Sequence, residues 1–106
     1  MSTSHAFNLL MRLAEVAKPE WWNDEGLKAL SARVVRAAPN EVAANRMRAI
    51  VLRGQCAAWE VVLRSAAELR KAATHYERAA ALSNAPALKA EYANNALLCR
   101  SQAAVL

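Results

Sequence analysis

Residues 65–100 read SAAELRKAATHYERAAALSNAPALKAEYANNALLCR, and they spell a helical hairpin. Ser65-Ala66-Ala67-Glu68 has the S-x-x-E form of a capping box. In that motif the serine hydroxyl accepts from the amide three residues on, while the glutamate reaches back to the serine amide. Behind the cap, Leu69, Ala72, Ala73, Tyr76 and Ala80 recur at i, i+3, i+4, i+7 and i+11, one apolar stripe on a helix over 66–83. Asn84-Ala85-Pro86 interrupts it, since Pro86 cannot continue a helix but suits the first position of the next. Leu88, Tyr92, Ala96, Cys99 and Ala103 mark the second stripe, on a helix over 87–104.

The rest of the chain agrees with this hairpin. It has 106 residues, enough for a single domain spanning 1–106, with only 2 Gly and 3 Pro and abundant Ala. Helix formers dominate and no stretch alternates like a strand, so the fold class is all-α. A domain this small buries only about 60–70% of its unfolded surface. Its small side chains let helix axes approach closely.

Upstream, three more helices are expected. Ser4 caps a helix over 4–18 whose inner stripe is Ala6, Leu9, Leu10, Leu13 and Ala17, and Pro19 ends it. The connector carries Trp21-Trp22, which cannot share one face of a regular element. Asn23 or Asp24 caps a helix over 25–37, with Leu27, Leu30, Val34 and Ala38 inward. After Ala38-Pro39, Asn40 caps a helix over 41–53 whose stripe centres on Met47 with Ala43, Ile50 and Val51, and Gly54 closes it. Residues 54–64, GQCAAWEVVLR, are long and apolar for a helix–helix loop. They read as a further short helical turn with Trp59, Val62 and Leu63 folded onto the core, or as a binding loop.

The net charge of +5 is concentrated. Lys28, Arg33, Arg36, Arg46, Arg48 and Arg53 stand against Glu41 alone, while the remainder of the chain balances. Such a block binds phosphate or acidic peptides, or is simply a solvated surface. It contains no aromatic residue, which counts against stacking on RNA. Cys56 and Cys99 lie in no zinc-binding spacing and read as reduced, packed residues. No apolar run approaches ~18 residues, so no membrane helix and no membrane partner is expected. The N-terminus lacks a basic region followed by an apolar core. The expected setting is therefore cytoplasmic, with organelle targeting left open.

A helix-turn-helix unit occurs twice, 47 residues apart, with Pro39 matching Pro86. Ala43 then matches Ala90, Ala49-Ile50-Val51 matches Ala96-Leu97-Leu98, and Arg53 matches Arg100. Self-similarity at such a period is what stacked helical repeats leave in sequence.

Ala72-x3-Tyr76-x2-Ala79, followed by the Asn-Ala-Pro turn, resembles the second helix of a tetratricopeptide repeat. The resemblance covers 66–100 well and 27–53 poorly. It departs from the family in its period, about 34 residues in tetratricopeptide repeats, and in Pro86, which comes two residues late. In the first unit, setting Ala49 at the motif's small-residue position would bury Asn45 and Arg48, which periodicity puts outside. The expected architecture is about five antiparallel helices in a tetratricopeptide-like α-solenoid stack, with a generic solenoid and a plain five-helix bundle left open.

The resemblance implies a non-catalytic module that binds a peptide or protein partner in a helix-lined groove. Its groove positions would be Ala43, Arg46, Ile50 and Arg53, then Ala90, Ala93, Leu97 and Arg100. The arginines would suit carboxylates on an extended peptide. RNA or another polyanion on the Lys28–Arg53 block is the alternative. A homo-oligomer built on Trp21, Trp22 or Trp59 is compatible with either. For catalysis only Cys56 with His75 is a pair worth naming, and no phosphate loop, metal spacing or cofactor motif accompanies it. No cofactor and no metal is expected.

Overall fold

The structure, a computed structural model, describes residues 23–54 and 62–106. The expected helix over 4–18, the paired tryptophans, Cys56 and Trp59 lie outside those residues. Within them the chain is all-helical: α1 (Asp24–Ala37), α2 (Val42–Arg53), α3 (Ala66–Leu82) and α4 (Pro86–Ala104). Each helix packs on its sequence neighbour, α1 on α2, α2 on α3 and α3 on α4.

The hairpin of α3 and α4 follows its sequence closely. The Glu68 amide donates to Ser65 Oγ at 3.1 Å and the Ser65 amide to Glu68 Oε1 at 3.0 Å, completing the capping box. All five expected stripe residues of α3 are buried, together with Ala79. Pro86 occupies the first turn of α4. Tyr92, Ala96, Cys99 and Ala103 are buried against α3. Leu88 is instead 42% exposed, because it turns toward the space between α4 and α2. The shared core is built from Ala72, Ala73, Tyr76 and Ala79 of α3, Ala49 and Leu52 of α2, and Tyr92, Ala96 and Cys99 of α4. Burying one aromatic side chain removes ~150–250 Å² from water, so the two tyrosines carry much of it and the alanines set the spacing.

The α1–α2 pair departs from its sequence reading in several places. Asn23 caps α1 as expected, accepting from the Gly26 amide at 2.8 Å. Gly54 ends α2 at φ 76, where a side chain would clash. Asn40 does not cap α2, whose N-cap residue is Glu41. The turn is tied instead by Asn45, whose amide nitrogen donates to the carbonyls of Pro39 at 2.9 Å and Glu41 at 3.0 Å. Asn45 is therefore fully buried and Arg48 half-buried, where periodicity placed both outside. Ala49 is buried while Ala43 and Ile50 are only half-buried. In α1, Leu27 and Ser31 take the inner face, with Leu30 and Val34 half-buried.

Val62 and Leu63 do not fold onto the core. They are 62% and 95% exposed, and Arg64 takes the inner place. Its Nη1 donates to Asp24 Oδ2 at 2.7 Å, and its Nη2 to Asp24 Oδ1 and to the Val51 carbonyl at 2.8 Å. The end of α2 leaves carbonyls without helical partners, and the start of α1 presents a carboxylate. One planar guanidinium serves both. Apolar burial of two side chains gives way to this bidentate contact.

Candidate functional site

Both α2 and α4 rest on α3, and a cleft of about 530 Å³ opens between them at the start of each helix. Val42, Ala43 and Arg46 line it from α2, and Leu88, Glu91 and Tyr92 from α4. Arg46 is exposed on the α2 wall, with Glu41 at its head, and Glu91 on the opposite wall, so the cleft offers charges of both signs beside an aromatic and three aliphatic residues.

At the far end of the two helices Arg53 spans the gap. Its Nη1 donates to Asn95 Oδ1 at 3.0 Å and its Nε to Gln102 Oε1 at 3.4 Å. The side chain is buried, with the residue only 8% exposed. Tyr76 lies beneath it. Burial pushes the Tyr76 phenol above its usual pKa, and a hydrogen bond with Arg53 partly offsets this. Burial likewise raises the Cys99 thiol, with Arg53 and Arg100 opposing. Cys99 is a free, buried thiol, packed as the sequence implied.

The five residues expected to carry binding therefore separate. Arg46 lies in the cleft and Ile50 packs half-buried against the core beside it. Arg53 is no exposed groove arginine, because it is occupied in joining α2 to α4. Arg100 sits on the opposite flank of α4, paired with Glu77 of α3 at 2.6 Å, and that pairing raises its pKa. Leu97 is 65% exposed and lines none of this cleft. The α4 wall is formed by Leu88, Glu91 and Tyr92 rather than by Ala90, Ala93, Leu97 and Arg100. Matching the two repeat units by sequence shifted the register of α4. The buried Tyr92 and Cys99 fix its true inner face, and Leu88 and Glu91 flank it.

The basic block of the sequence is not one patch in space. Lys28 bonds Glu68 at 2.7 Å and lies 3.4 Å from Asp24. The Glu68 hydrogen bond raises its pKa. Burial acts to raise the Glu68 pKa, but Lys28 and the Ser65 backbone bring it below the usual carboxylate value. Arg48 Nη1 donates to the Lys28 carbonyl at 2.8 Å and to Ser31 Oγ at 3.0 Å. With Arg53 also buried, three of the six cations hold helices together, and Arg33, Arg36 and Arg46 remain exposed.

A polar centre that sequence reading missed joins α2 to α3. Asn45 commits both amide hydrogens to backbone carbonyls, so its Oδ1 must accept. His75 Nδ1 lies 3.0 Å from that oxygen and therefore carries the proton. Arg78 closes the same corner, donating to the Pro39 carbonyl at 2.9 Å and to Asn40 Oδ1 at 2.6 Å. Asn40 followed by Asn45 near a proline turn was the available signal, and only the fold brings His75 and Arg78 to it. Among the described residues no His, Cys, Asp and Glu side chains group as metal ligands. No helix among them is long and apolar enough to cross a membrane. Comparison of the chain with protein-family models, curated proteins and solved structures gave no match.

Proposed function

We propose that the chain is a non-catalytic protein-interaction module of tetratricopeptide-like build, which binds a peptide or protein segment in the cleft between α2 and α4. The observation that carries this reading is the cleft itself: two helices on a common third, separated by about 530 Å³ and lined by Val42, Ala43, Arg46, Leu88, Glu91 and Tyr92. Aromatic and arginine side chains are the usual anchors of protein interfaces. Tyr92 would supply an apolar wall, Arg46 a planar fork for a carboxylate, and Glu91 a partner for a basic side chain. The buried Ala72, Tyr76 and Ala79, and Ala49 with Asn45 beneath α2, are in keeping with the small-residue packing of such repeats.

The test is a peptide-array screen followed by solution titration of its strongest binder against the full chain and against Arg46→Glu. Arg46 is exposed and makes none of the contacts holding the fold, so helicity should be unchanged. Binding should weaken at least about tenfold, as expected for loss of a charged hydrogen bond. An array with no saturable binder, or a binder indifferent to Arg46→Glu, removes the reading.

A further inference from the structure

A second cleft, of about 390 Å³, lies beyond Arg53 at the end where α2 and α4 finish. Val62, Leu63, Leu69 and Val105 give it apolar walls, and Arg53 and Arg64 reach it from within. Two observations there converge on one ligand chemistry. Arg53 is a buried cation whose side-chain partners among the described residues are neutral, namely Asn95, Gln102 and the Tyr76 phenol. No carboxylate among those residues pairs with it. A buried charge held only by neutral acceptors retains an unbalanced field. The second observation is Arg64 Nε, a buried N–H with no hydrogen-bond partner, on a side chain only 5% exposed. Groups of that kind are rare in folded proteins and call for an explanation.

We propose that this cleft binds a short-chain aliphatic monocarboxylate, its carboxylate directed at Arg53 and the spare Arg64 Nε–H and its chain against Leu63, Leu69 and Val105. The charge balance selects a single negative charge. Asp24 already neutralises Arg64, so among the described side chains the cleft offers one uncompensated cation, and a phosphate dianion would bring more charge than it can meet. The volume is near the small end of ligand pockets, which run ~300–1,000 Å³. That selects a short chain over a long one. The site is separate from the α2–α4 cleft, so it neither needs nor tests the peptide reading.

The experiment is calorimetric titration of the full chain with hexanoate, hexanamide and hexyl phosphate, repeated on two wall variants. Leu63 is 95% exposed, so Leu63→Glu and Leu63→Lys alter the charge at the mouth without touching the packing. Hexanoate should bind saturably, at least about tenfold more tightly than the other two. Both variants remove the same apolar contact and differ in charge alone, so Leu63→Glu should weaken it several-fold more than Leu63→Lys. Absence of saturable hexanoate binding, equal binding of the amide, preference for the phosphate, or equal effects of Leu63→Glu and Leu63→Lys each overturns the assignment.

Discussion

The α3–α4 hairpin and the α1–α2 pair are both two helices joined by a short proline-containing turn, yet they are held together by different physics. In the hairpin the interface is a run of alanines around Tyr76 and Tyr92, and its stripes repeat at helical spacing. Between α1 and α2, and from them onto α3, buried apolar residues such as Leu27, Met47 and Val51 are joined by a set of polar contacts: Asp24 with Arg64, Lys28 with Glu68, Arg48 with Ser31, and Asn45 with His75. Apolar packing tolerates small shifts and is roughly proportional to area. A buried polar contact is satisfied or it is not, and one missing partner costs more than the contact contributes. The two halves should therefore respond differently to substitution, one through cavities and the other through stranded polar groups.

The largest effect should come from emptying the hairpin core. Tyr76→Ala is expected to cost about 3–5 kcal/mol in urea unfolding, by analogy with aromatic truncations elsewhere. That is a large part of the ~5–15 kcal/mol that stabilises a typical domain. A loss under about 1 kcal/mol would mean that the α3 face is not the core. Next is Asp24→Ala, which strands the Arg64 guanidinium in a site where both side chains are 5% exposed. Removing one member of a buried pair costs about 3 kcal/mol. Adding Arg64→Met to that variant should recover only part of the loss, because the Val51 carbonyl then lacks its donor. Full recovery would show that the ion pair alone, and not the stitching of α1 to the end of α2, stabilises this corner.

These two halves also differ in how far the sequence disclosed them. The capping box, the five stripe residues of α3, Pro86 at the start of α4 and Gly54 at the end of α2 were all readable, because each is set by residues within a few positions of one another. The α1–α2 half was not, because its determinants are far apart. Arg64 reaches Asp24 across 40 positions and Arg48 reaches Ser31 across 17. Local periodicity sees Asn45 and Arg48 as polar and assigns them to water, yet a fold that supplies carbonyls and a histidine buries them. The site shows the same division. Arg46, a groove position implied by the repeat resemblance, lines the cleft, whereas on α4 the lining is Leu88, Glu91 and Tyr92 and not Leu97 and Arg100, because the inner face of that helix is set by Tyr92 and Cys99.

The smallest of the expected effects concerns the Asn45–His75 contact, and it separates the two halves by pH. Burial disfavours the imidazolium of His75, and Arg48, Arg78 and Lys71 repel it, so its pKa lies below the ordinary 6.5. Below pH 6.5 the unfolded chain then takes up this proton more readily than the folded one. The stability that His75 contributes is fully present above pH 6.5, is lost as the pH falls toward the lowered folded value, and levels off beneath it. Glu68, whose pKa is depressed below 4.5, loses its own contribution only at lower pH. Of these two groups, the interval between 6.5 and 4.5 therefore titrates the histidine. The urea midpoint should fall between pH 7.5 and 5.5 in the native chain and hold steadier in His75→Gln, whose amide can still donate to Asn45 Oδ1 without titrating. Equal decline in both proteins would place the acid sensitivity elsewhere. It would also reduce Asn45–His75 to a structural hydrogen bond like any other in the α2–α3 interface.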